Sequence, residues 1–144
     1  MNPDFNKCLE NGKIIVFEQG KDMVRKEFSI SESDLGDAKA GFQEKRYKWA
    51  TIQGYYAMFH AVRALVYSKG YREKSHYCLS VALRTLFIEE GYLDSKSGRD
   101  FLNAMNLREA ADYSAEFSAA GATAVIAAAE KLIVKSKVLL GVEP

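Results

Sequence analysis

Apolar positions along this chain recur mostly at intervals of three and four, the spacing of helices that bury one face. From residue 22 the series Val24, Phe28, Leu35, Ala38 and Phe42 predicts a first long helix, although Ser29, Ser31, Gly36 and Gly41 weaken its intrinsic propensity. A second helix over residues 47–69 is dense in aromatic side chains, and Gly70 behind it suits the left-handed position that closes a helix. Ser75 can cap a third through about residue 90, with Leu79, Val81, Ala82, Leu83 and Leu86 supplying apolar faces and Gly91 ending it. After a Ser/Gly-rich loop at 94–98, a fourth helix over about 99–113 rests on Phe101, Leu102, Met105 and Leu107. Ser114 or Ser118 then opens a fifth, alanine-rich helix that reaches Leu140 and Gly141.

No stretch alternates apolar and polar residues for long, so strand content near zero is expected. Residues 1–21, with Gly12 and Gly20 around a short apolar run, read as an irregular arm with one helical turn. Residues 22–144 then form a single domain. No period of 20 to 50 residues repeats, which separates a bundle from a solenoid. The expected fold is all-α, an antiparallel four- to five-helix up-and-down bundle.

Composition agrees with this picture and narrows the function. In 144 residues the only prolines are Pro3 and Pro144, so nothing between the ends carries the strongest helix breaker. A formal net charge of +1 gives no global pull toward nucleic acid or membrane. From Phe42 to His76, however, seven basic residues face two acidic ones, a local balance of +5. Cys8 and Cys78 form no CxxC and have no His ladder beside them, so they read as free thiols in a reducing compartment. With no basic, apolar leader at the start of the chain, a cytoplasmic location without membrane attachment is expected.

The second helix carries the most informative residues. At 100° per residue Ile52, Tyr55, Phe59, Val62 and Val66 share one face, which is core. Beside it, within about 80° of arc by the same arithmetic, lie Gln53, Tyr56, His60, Arg63 and Tyr67. A polar stripe of this composition on a central helix fits either a cleft or hydrogen bonding at the core edge. Glu73 and His76 have the Glu-x-x-His spacing of a di-iron ligand pair, but that chemistry needs a second such motif and further carboxylates. No metal site or cofactor is expected. GxSxG, HExxH, GxxxxGK[ST] and GxGxxG are all absent, which disfavours the chemistries they support. On the fourth helix Arg108 and Asp112 stand four apart with Tyr113 next, a spacing that by itself is an ordinary exposed ion pair.

The run Tyr55-Tyr56-Ala57-Met58-Phe59-His60-Ala61-Val62-Arg63-Ala64-Leu65, then Ser68-Lys69-Gly70-Tyr71 and Lys74-Ser75-His76, resembles the small HEPN-domain proteins of prokaryotes. So does Asn106-Leu107-Arg108-Glu109-Ala110-Ala111-Asp112-Tyr113, and the resemblance spans about residues 22–140. It implies a helical bundle, commonly a homodimer, that binds nucleotides or RNA and often works beside a minimal nucleotidyltransferase as toxin, antitoxin or regulator. Catalytic members resembling this chain are metal-independent ribonucleases that use an Arg followed after four to six residues by a His. Here Arg108 is present and the His is missing. Asp112 or Tyr113 stands near its place, and neither readily supplies an imidazole's proton affinity near neutrality.

The resemblance therefore implies first a binding module, with Arg108, Tyr113, Tyr56, His60 and Arg63 engaging a nucleotide or RNA. An enzyme is the alternative, a ribonuclease with a degenerate motif in which His76 or Tyr113 handles the 2′-hydroxyl proton beside Arg108. A purely structural interaction domain is the third reading.

Overall fold

A computed structural model of the chain describes residues 1–143; residue 144, the last of the expected domain, lies outside them. Four long helices make the bundle: α2 (Gly20–Gln43), α3 (Tyr47–Ser68), α5 (Ser95–Tyr113) and α6 (Ala119–Leu140), with α1 (Pro3–Glu10) and α4 (His76–Leu83) as shorter elements beside them. The all-helical class expected from the apolar periodicity is what the chain adopts. Two three-residue strands, β1 (Ile14–Val16) and β2 (Tyr71–Glu73), are the only departure among the described residues. They pair antiparallel, with Ile14 opposite Glu73 and Val16 opposite Tyr71.

The centre of the core is α3, which packs against α2, α5 and α6. Fourteen of its residues are buried, so it is apolar on more than one face, as a central helix must be. Gly54 lets α6 come close: a Cβ there would lie 2.9 Å from Cγ1 of Val125. On the α6 side Ala122, Val125, Ala129, Leu132 and Ile133 supply the buried stripe. Short connections at 44–46 and 114–118 make α2 and α3, and α5 and α6, antiparallel neighbours.

The ends of α6 follow local rules legible in the sequence. The Ser118 hydroxyl accepts from the Gly121 N–H at 2.9 Å, and Gly141 takes the left-handed conformation, φ 66°, that ends the helix. Ser118→Ala should cost about 1 kcal/mol through the lost cap, seen as a lower urea midpoint at unchanged slope. A loss below about 0.3 kcal/mol would mean that packing alone sets this helix start.

Two expectations need correction. The arm at residues 1–21 is not irregular. Asn2 caps α1 by accepting from the Phe5 N–H at 2.7 Å, and Pro3 stands at the first helical position where its missing donor costs nothing. Phe5, Cys8 and Ile14 are then buried in the common core, because the arm lies against β2 and α4 rather than in solvent. The cysteines are not free thiols: Cys8 and Cys78 form a disulfide between α1 and α4, their Cα atoms 6.0 Å apart. Their 70-residue separation hid a proximity that only the folded arm creates. The third helix also changes course, passing from α4 into a wide π-helical turn at Arg84–Ile88. Thr85 in that turn accepts from the Asn2 amide at 2.5 Å.

Candidate functional site

Arg108 occupies a core position of α5. Phe101, Ala104, Met105, Arg108 and Ala111 are its buried stripe, and Arg108 is 6% exposed. This is not the exposed ion pair that spacing alone suggests. The guanidinium is walled by aromatic rings, its carbon 5.3 Å from the centre of Tyr55, 5.8 Å from Tyr56 and 5.7 Å from Tyr113. These faces attract the cation through their quadrupoles without neutralising it. Polar partners are distant: Nη1 lies 3.6 Å from the Asp112 carboxylate and 3.4 Å from the Tyr113 hydroxyl, and Nε is buried with no partner among the described residues. By contrast Arg63 and Arg84 each meet a carboxylate at 2.8 Å.

His76 shares the aromatic wall. Its Nδ1 lies 2.5 Å from the Tyr55 hydroxyl, and its ring stacks on Tyr55 at 5.7 Å and meets Phe59 at a tilt at 4.8 Å. Burial, together with the Arg108 charge, holds its pKa below the ordinary imidazole value, so the ring is neutral at pH 7. Burial likewise pushes the Tyr55 phenol far above its usual range, so Tyr55 keeps its proton. With Nδ1 engaged by Tyr55, Nε2 is the ring nitrogen left to exchange a proton. Ser75 caps α4 and thereby sets His76 at its first position. Tyr113 is 76% exposed at the mouth of the site.

The structure thus brings Arg108, Tyr113, Asp112, Tyr56 and His76 into one neighbourhood. His60 and Arg63 lie elsewhere. His60 Nδ1 is 2.6 Å from Glu27, and Arg63 binds Glu73 through Nε at 3.1 Å and Nη2 at 2.8 Å, with Glu27 3.6 Å away. Glu27 and Glu73 are both 4% exposed, so Arg63 serves as counter-charge to a buried carboxylate and His60 as a hydrogen-bond partner to another. Tyr67 is buried against α2 and Phe17. The basic excess of residues 42–76 is dispersed too, with Arg72 over the Phe17 ring, Lys69 over Tyr92 and Lys48 over Trp49.

Tyr55 was read from the sequence only as core, and it is the ring that joins Arg108 to His76. A phenol on a buried helical face signals that a polar partner is near, though not which one. Among the described residues no three metal-ligating side chains gather, and no helix is long and apolar enough to cross a membrane.

Comparison with known proteins agrees with this architecture. A Methanocaldococcus jannaschii protein named "Putative toxin MJ0605" is 31% identical over 104 residues, covering 72% of this chain and 78% of its own. The HEPN domain model matches residues 24–139, from the first turns of α2 nearly to the end of α6 and across Arg108 and His76 alike, and the chain therefore belongs to the HEPN-domain family.

Proposed function

We propose that this protein is a cytoplasmic binding module that holds the phosphate of a nucleotide or of RNA on Arg108. Tyr113 and Tyr56 offer rings to the base, and the module acts as a homodimer beside a nucleotidyltransferase in a toxin-like or regulatory pair. The observation that carries the reading is the buried, aromatic-walled Arg108 guanidinium, whose nearest carboxylate is 3.6 Å away. A guanidinium offers a planar five-donor fork that fits phosphate oxygens, and here most of that fork is unspent. Exposed Tyr113 gives a stacking face at its edge. The archaeal relative's name supports the toxin-like role. Titration with fluorescent single-stranded RNA and with labelled adenine nucleotide tests the reading, and saturable, salt-sensitive binding is the expected result. No binding of either probe up to about millimolar, where specific affinity has vanished, would refute it.

The Tyr55–His76 contact favours a second reading as a metal-independent ribonuclease. If His76 Nδ1–H donates to the Tyr55 oxygen, Nε2 carries the lone pair and can accept the proton of a ribose 2′-hydroxyl. That oxygen attacks the adjacent phosphorus, Arg108 stabilises the added negative charge, and the 5′-oxygen leaves with a proton from solvent. General acid/base catalysis contributes typically about 10²- to 10⁴-fold. In chelator, His76→Ala should therefore lower cleavage by about that factor. Intact RNA after prolonged incubation with the unaltered protein would leave binding as the sole activity.

A further inference from the structure

The segment before α2 lies outside the 24–139 span of the HEPN model, yet it is tied to the part of the chain that carries His76. Most anchors of this segment fall between Tyr71 and Glu89, and Phe17 adds a backbone bond to Gly70 and an edge contact with Tyr67. The β1 strand pairs with β2, and the Phe5 ring meets Tyr71 edge-on at 5.5 Å. Asn2 donates to Thr85, and Asp4 pairs with Arg84 at 2.8 Å. The Cys8–Cys78 bond is the one covalent tie. Cys78 sits in the first turn of α4, where its N–H donates to the capping Ser75 hydroxyl at 3.0 Å, two residues from His76. Whatever fixes Cys78 fixes that turn, and with it the approach of His76 to Tyr55 and the Arg108 cleft.

We propose that the Cys8–Cys78 disulfide is a thiol-responsive strap that sets the position of His76 and so regulates the Arg108 site. The inference rests on the reading of that site as a phosphate-binding cleft. Opening requires a dithiol reductant. One of its thiolates attacks one cysteine sulfur, expelling the other cysteine as a thiolate and forming a mixed disulfide; its second thiolate then attacks the reductant's own sulfur in that bond and displaces the first cysteine. The protein gains two electrons and two protons as cysteine thiols, and the reductant leaves as a cyclic disulfide. Cys8 and Cys78 are 3% and 5% exposed, so attack needs α1 to lift first. The Asp4–Arg84 pair is 52% and 44% exposed, while Phe5 is buried against Tyr71, so lifting α1 uncovers Phe5 together with the disulfide.

The test compares the full chain oxidised, reduced with dithiothreitol, and as Cys8→Ser. Mass spectrometry after thiol alkylation counts the bonds, circular dichroism follows the bundle, ring ¹⁵N resonances report His76, and fluorescent single-stranded RNA reports the site. Reduction is expected to leave the helical signal in place, to shift the His76 ring resonances and to weaken RNA binding about fivefold or more, the scale of coupling between linked sites. Linkage demands the reverse effect as well: saturating RNA should lower the reduction potential of the bond by about 20 mV, the two-electron equivalent of fivefold. Two free thiols in the air-oxidised protein would overturn the proposal, as would His76 resonances indifferent to reduction. Loss of the helical signal on reduction at 10 °C would make the bond a staple of the whole fold and likewise overturn it. Should RNA bind neither form, the phosphate-site reading fails, and the His76 resonances alone then decide whether the strap positions that ring. If Cys8→Ser fails to fold, the reduced unaltered chain supplies the same comparison.

Discussion

Glu73→Ala is expected to destabilise the protein by about 3 kcal/mol, the lower end of the range for removing one partner of a buried ion pair. Glu73 is 4% exposed on β2 and takes two hydrogen bonds from Arg63, at 2.8 and 3.1 Å. Without it the guanidinium keeps only the Glu27 contact at 3.6 Å, and Glu27 is already engaged by His60. The Arg63 side chain is 21% exposed, so water reaches part of the orphaned cation, which is why the lower end applies. The cation also leans on the Phe59 ring, 4.6 Å from its centre, and that packing survives the substitution.

The cost belongs to the broken pair and not to the position. Glu73→Leu combined with Arg63→Met removes both charges and refills the volume, and should lose less than Glu73→Ala alone, since replacing a whole buried pair by apolar groups is often neutral. Urea unfolding followed by circular dichroism measures both. A single substitution costing under about 1 kcal/mol would mean that water already screens this pair as it does at a surface. RNA binding by the folded double variant should change little, because Arg63 and Glu73 make no contact with Arg108 and reach the site only through their charges acting on His76. A parallel loss of binding would return Arg63 to the ligand site where sequence reasoning first put it.

That reassignment shows what kind of information the sequence carried. The buried face of α3 and the caps of α6 are local matters of spacing and residue chemistry, and both could be read directly. The same periodicity held the burial of Arg108, since Phe101, Ala104, Met105, Arg108 and Ala111 continue one stripe. Judged by its charge and by Asp112 four residues on, it nevertheless reads as surface. What no spacing could disclose is which distant residue a polar group meets. His60 and Arg63 find Glu27 and Glu73, on elements 33 and 10 residues away, and Cys8 finds Cys78 only because α1 folds back. The arm itself was misread because Gly12 and Gly20 hide two short elements whose stability comes from the surface they cover.

Arg108→Ala should weaken binding of single-stranded RNA or nucleotide by about 1 to 3 kcal/mol, roughly 5- to 150-fold, the scale of hydrogen bonds to a charged group. The residue is buried, so stability has to be separated from function. The truncation removes a guanidinium packed on three aromatic rings and leaves a void against Tyr55, costing stability as any large-to-small core change does. It also relieves an Nε that is buried without a partner, an opposing gain. Arg108→Met is the cleaner variant, because it keeps the apolar stem against the rings while deleting the fork and the charge. For it the melting temperature should move little and the binding loss should match that of Arg108→Ala. Arg108→Lys keeps the charge but loses the planar fork, and its affinity should fall between those of the unaltered protein and Arg108→Met. The salt dependence offers an independent check: deleting one phosphate contact should lower the slope of log K against log salt by about 0.7 for a single strand. If Arg108→Met binds both probes as tightly as the unaltered protein, with the same salt slope, the guanidinium is part of the packing and the phosphate lies elsewhere.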